Sequence, residues 1–205
     1  MHLFAASRIS RLSPIVLATV SSFFLCAPRV DAQGGQKYGF QIAVLSTSIG
    51  TGSDAISGVG VETQLRANTV YASEKFVLSL GVGAQLTSHS AGSDKIVISG
   101  VFLEPRWVPH TPLERVFPYV SGRLSFLRQS SNFGSASTGP GFGAGVGLAI
   151  LLTKTLNLDA GVALVRQQFG DFTFDTPDSR GSIGTFSPFT TYAAKIGLSW
   201  GFPNR

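Results

Sequence analysis

Thr191-Tyr-Ala-Ala-Lys-Ile-Gly-Leu-Ser-Trp-Gly-Phe202, near the end of this 205-residue chain, divides into two unlike faces. Tyr192, Ala194, Ile196, Leu198, Trp200 and Phe202 fall on one side. Thr191, Ala193, Lys195, Gly197, Ser199 and Gly201 fall on the other. Side chains of a β-strand alternate with a period of two, so one face is apolar with aromatic ends and the other is small, polar and charged at its centre.

Seven earlier segments repeat this alternation, and the strands are expected at 37–48, 57–68, 75–87, 95–107, 117–129, 139–152, 155–168 and 189–202. The sixth is the clearest. Phe142, Ala144, Val146, Leu148 and Ile150 oppose Gly141, Gly143, Gly145 and Gly147. No helix produces that pattern, and glycine at this density would weaken one by ~1 kcal/mol per residue. The first and fourth segments are less regular, because Leu45, Ile98 and Phe102 fall on the polar side. A small barrel fills its interior with side chains, so such residues have a place there.

The charges lie on the polar faces. A soluble, lipocalin-like barrel would bury the apolar face instead. Charges within and hydrocarbon outside are the arrangement of a transmembrane barrel, so the fold expected is all-β, an eight-stranded antiparallel up-and-down transmembrane β-barrel. The connections lean the same way: gaps near 69–74, 108–116 and 153–154 are shorter on average than those after the odd-numbered strands, of which 169–188 is the longest. Short periplasmic turns and long outer loops are the usual asymmetry.

The N-terminus reads as a secretory signal. Arg8 and Arg11 flank an apolar stretch, Ile15 to Cys26, and Val30-Asp31-Ala32 offers small residues for cleavage. Residues 1–32 are therefore expected to be removed, leaving 33–205 as the barrel domain. Cys26, the only cysteine, leaves with the signal, which excludes disulfide and thiol chemistry afterwards. Loss of Arg8, Arg11, Arg29 and Asp31 lowers 16 basic and 11 acidic residues to 13 and 10, a balance that demands no nucleic-acid partner.

Lys195, Gly197, Trp200 and Phe202 resemble the C-terminal assembly signal of bacterial outer-membrane barrels: a polar residue, a glycine, then hydrophobic positions ending in phenylalanine. Here Pro203-Asn204-Arg205 follow a phenylalanine that is usually terminal. Phe117-Pro118-Tyr119-Val120-Ser121-Gly122-Arg123 and the glycine-rich 141–147 segment likewise resemble small eight-stranded barrels of the OmpA/OmpX type. The resemblance implies Sec export, insertion by the outer-membrane barrel assembly machinery, residence as a monomer in the bacterial outer membrane, and contact with lipid and lipopolysaccharide.

The predicted lumen gathers Glu62, Arg66, Glu104, Arg106, Arg123, Asp159 and Lys195, with Gln41, Gln64, Gln85 and Asn157. Buried charges are costly unless paired, so a cross-strand network is expected, with Glu104 between Arg106 and Arg123. Such a network plugs the lumen; a narrow porin-like path for ions or small solutes is the alternative. Arg128 and Arg166 have the outward parity near the outer ends of their strands, where guanidinium groups suit lipopolysaccharide phosphates. Trp107, Tyr192, Trp200 and Phe202 suit interfacial girdles. A lipid A-modifying enzyme ranks third and no activity is expected. His89 is adjacent to Ser90, so the two point to opposite faces at a loop edge, and His110 falls in a turn between prolines. No metal or cofactor is called for, since no second histidine or thiolate lies at ligand spacing. The reading that remains is a structural barrel that makes surface contacts through its outer loops.

Overall fold

A computed structural model describes residues 38–50, 55–91, 94–113, 115–132, 134–173, 181, 183–184 and 188–201. The expected signal segment and Phe202 lie outside them. The chain forms β1 (Tyr38–Ile49), β2 (Ile56–Ala72), β3 (Phe76–Ala91), β4 (Asp94–Pro109), β5 (Val116–Ser131), β6 (Ser137–Leu151) and β7 (Leu156–Gln167). Two short strands, β8 (Phe172–Thr173) and β9 (Ile183–Gly184), precede β10 (Phe189–Trp200).

Eight strands close into one antiparallel barrel in the order β1-β10-β7-β6-β5-β4-β3-β2, each paired with its sequence neighbour apart from the excursion through β8 and β9. That excursion forms a separate two-stranded ribbon, which the alternation did not announce. Following the pairing once around the wall from Phe40, through Leu65, Val82, Leu103, Leu124, Phe142, Arg166 and Thr190, leads back to β1 at Gly50. The stagger is therefore ten residues. With eight strands it inclines each by roughly 40° to the axis. A 16-residue strand such as β3 then spans about 40 Å along that axis, more than the ~25 Å apolar band of such barrels. The strand ends project beyond the band.

The faces are those read from the sequence. Ile196 is 56% exposed and Val162 57%, whereas Glu62 is 1% and Asp159 0% exposed. Aliphatic side chains stand outside and charges inside, so the soluble-barrel alternative is excluded. At the end where β1 begins, rings line the outer wall from β10 to β4: Phe40 stacks on Trp200 at 6.2 Å, and Phe76 lies 5.8 Å from Tyr71 and 6.0 Å from Trp107. At the other end Ser48, Ser57, Ser88 and Ser99 replace aliphatics at the outward positions, alongside exposed Arg128 and Arg166.

The strands β2 to β6 run longer than the alternation suggests, β1 keeps its length, and β7 and β10 are shorter. β2 continues to Ala72 through an irregularity between Ala67 and Tyr71, where four β2 steps match two on β3. A bulge of this kind lets a strand persist after its parity breaks; Asn68, at its start, keeps the inward parity of Arg66 and is buried. β3 likewise reaches Ala91, which corrects the placing of His89 at a loop edge. His89 is an inward strand residue, 1% exposed, with Nε2 2.9 Å from Thr47 Oγ1.

Candidate functional site: the charged lumen

Seven of the eight barrel strands contribute polar side chains to the middle of the lumen. The eighth, β6, turns glycines inward, and these make the room. A Cβ on Gly147 would collide with the Tyr119 hydroxyl, and one on Gly83 with the Phe102 ring. The bare backbone here and on β3 leaves room for the large side chains of the paired neighbouring strands, Tyr119 and Phe102, to lie over it.

Glu104 on β4 is the centre. Its carboxylate meets all four lumen cations: Arg106 Nε at 2.8 Å, Arg66 Nη2 at 3.2 Å, Lys195 Nζ at 3.2 Å and Arg123 Nη1 at 3.3 Å. Glu62 on β2 accepts both terminal nitrogens of Arg123 at 3.0 Å and Lys195 Nζ at 3.2 Å. Asp159 on β7 accepts Arg106 Nη1 at 2.5 Å, the Tyr119 hydroxyl at 2.9 Å and Gln41 Nε2 at 3.2 Å.

Neutral groups accept further N–H donors of the arginines. Arg106 Nη2 donates to Gln41 Oε1 at 3.1 Å, and Arg123 Nη2 to Gln85 Oε1 at 2.7 Å. Arg66 donates to Gln64, to Ser79 Oγ at 3.1 Å and to the Glu104 carbonyl at 3.4 Å. Two guanidinium planes also rest on rings, Arg106 4.1 Å above Tyr119 and Arg123 3.7 Å above Phe102. Guanidinium suits such a place because it is planar, weakly hydrated and forked.

All seven charges named from the sequence thus meet in one cluster, and Glu104 has Arg66 and Lys195 as partners in addition to the expected Arg106 and Arg123. Asn157, also inward, is buried but stands apart from the bonded cluster, both amide atoms lacking a partner among the described residues. Tyr119 was the member not anticipated. Its parity with Ser121 and Arg123 on β5 was the available signal.

Above the charges, towards the loop end, an apolar cluster sits among the buried polar side chains of Thr47, Thr87, His89 and Gln129. Ile98, Leu127 and Phe169 form a buried cluster, against which Ile49, Ile96 and Phe189 pack. Phe169 stands two residues past the end of β7 and lies 5.7 Å from Phe189 at the start of β10, so the root of the longest connection is folded into the barrel. Farther out, Ser135 ties to Thr173 by two 2.8 Å bonds, joining the β5–β6 connection to the short ribbon.

Arg128 and Arg166 are exposed on the outer wall and far from this cluster. Arg166 stands opposite Phe142 and Thr190, and Arg128 opposite Ser99 and Thr138. Lys195 and Gly197 lie on β10 with inward parity, Trp200 in the outward aromatic belt. His110 leaves the barrel and meets the Glu74 carbonyl at 2.9 Å in a turn.

No protein-family model matches the chain. No curated protein matches it either. Solved structures do. Neisserial surface protein A aligns over 83% of this chain and 100% of its own, at 18% identity and a TM-score of 0.62. A major outer membrane protein from Thermus thermophilus aligns over 80% of this chain and 99% of its own, at 14% identity and a TM-score of 0.51. With the closed eight-stranded wall, the apolar exterior and the charged interior, the fold is that of the small bacterial outer-membrane β-barrels.

Proposed function

We propose that this protein is an integral barrel of the bacterial outer membrane whose lumen is closed and whose role is structural and interactive, exercised through the loops on its outer side. The observation that carries this reading is the ion-pair cluster. Its carboxylates are almost fully buried, and its partners come from opposite walls, so an ion crossing the barrel would have to displace them. Eight strands enclose an interior that side chains can fill, and here an apolar stopper adds a second layer. Export through the Sec pathway, assembly guided by Lys195, Gly197, Trp200 and Phe202, and a monomeric state belong to the same reading.

Conductance in planar lipid bilayers tests it. The expected record shows no reproducible step; steps of constant size would make the narrow-pore alternative correct. A lipid A-modifying activity finds less support. His89 is turned into the barrel and bonded to Thr47, away from the lipid wall where such a reaction would occur. Lipid A mass spectra unchanged by expression of the protein are the expected outcome there.

Arg128 and Arg166 extend the reading to a partner. Both stand at the outward positions where aliphatics give way to serine, the level at which charge facing lipid is nearly free. Phosphate groups of lipopolysaccharide are the chemistry that a guanidinium pairs with there.

A further inference from the structure

We propose that the lumen mouth at the β1-start end holds a small inorganic anion, chloride in ordinary media, beside Arg66 and Arg106. The charge count motivates it. Among the described residues of the lumen, four cations, Arg66, Arg106, Arg123 and Lys195, share three carboxylates, Glu62, Glu104 and Asp159. One positive charge is left over in a place where water cannot fully solvate it, and buried charge is costly unless compensated.

The excess falls most heavily on Arg66. Its one carboxylate partner among the described residues, Glu104, is divided among all four cations, and its other contacts are the neutral groups of Gln64, Ser79 and a backbone carbonyl. Its side chain is also the most accessible of the four cations, at 10%.

A cavity lies where the counter-charge is needed. About 40 Å³ of free space is lined by Arg66, Arg106, Asn68, Ser79, Ser199 and Asp159, together with apolar and ring residues. That is room for a small ion with water. Asn68 and Ser79 supply neutral polar groups, and Asn68 faces inward by the same alternation that turns Gln64 and Arg66 into the lumen. Asp159 would repel an anion, but its oxygens are engaged by Arg106, Tyr119 and Gln41 and its charge is opposed directly by Arg106. Arg66 and Arg106 both hold Glu104 Oε1, so an anion seated on their far sides would complete the cluster rather than compete with it.

The protein extracted from membranes in zwitterionic detergent, melted in sodium chloride and in sodium gluconate at equal ionic strength, tests the proposal. Chloride should raise the melting midpoint by about 3 °C. The rise should vanish in Arg66→Gln and persist in Lys154→Gln, which removes a cation from an exposed turn. Crystals grown in bromide give a readout that needs no variant: an anomalous peak is expected beside Arg66. Equal midpoints in the two salts, a rise that survives in Arg66→Gln, or bromide found only on the outer surface would each overturn the site. If Arg66→Gln fails to fold, the bromide position decides alone.

Discussion

Lys195 on β10 and Glu104 on β4 belong to diametrically opposite strands, yet the ammonium lies 3.2 Å from both carboxylate oxygens. The pair spans the lumen, and the ring of strands cannot widen without stretching it. Removing the acid is the severe change. Glu104→Gln leaves four cations facing two carboxylates and should cost about 3–5 kcal/mol, as breaking a buried pair does. Lys195→Gln, which leaves three against three, should cost less. Urea unfolding in detergent micelles, followed by tryptophan fluorescence, gives the order, and a reversed order would remove Glu104 from the centre of the cluster.

A second expectation concerns the glycine beneath Phe102. Gly83 and Phe102 are directly paired, and a Cβ on Gly83 would also collide with the Thr63 carbonyl. Gly83→Ala must therefore push Phe102 from its place under Arg123, an overpacking loss of about 1–3 kcal/mol. Gly122 on the outer face meets nothing closer than Pro105 at 3.4 Å, so Gly122→Ala should be near neutral. Thermal midpoints of both variants, read from the temperature at which the folded band disappears on unheated-versus-heated SDS gels, make the comparison.

The wall itself can be probed by depth. Val162 has outward parity midway along β7, and Val162→Arg should cost about 2–4 kcal/mol in a bilayer. Ser88, outward but near the loop end of β3, should accept arginine at about 0–1 kcal/mol. Refolding titrations into liposomes measure both, and equal costs would mean that the apolar band is not where the exposed aliphatics lie.

For the lipid partner, the double variant Arg128→Ala/Arg166→Ala should purify with several-fold less lipopolysaccharide while keeping the barrel's heat-modifiable migration. Unchanged lipopolysaccharide content would assign the two arginines to simple charge placement at the membrane edge.

Alternation alone was sufficient to fix the wall, because in a barrel every residue's side is decided by parity and parity is visible in the chain. Glu62, Arg123 and Asp159 could be placed inside for that reason. Partners within the lumen were less accessible, since they depend on the ten-residue stagger, which emerges only when the last strand meets the first. Hence Arg106 could be put near Glu104, two residues away, but its 2.5 Å bond to Asp159 on another wall could not. Strand ends were missed where parity fails, as at Ala67–Tyr71, and where polar residues continue the ladder beyond the apolar band, as at Ser88–Ala91. The Ile98–Leu127–Phe169 stopper was hidden because Phe169 follows its strand and has no parity to read.

That stopper bears on how this molecule can diversify. With Phe169 and Phe189 seated in the barrel, the stem of the longest connection is held by the wall and not by whatever sequence follows it. Substitutions beyond the stem should therefore leave the barrel's stability untouched, so that length and composition there are set independently of the wall.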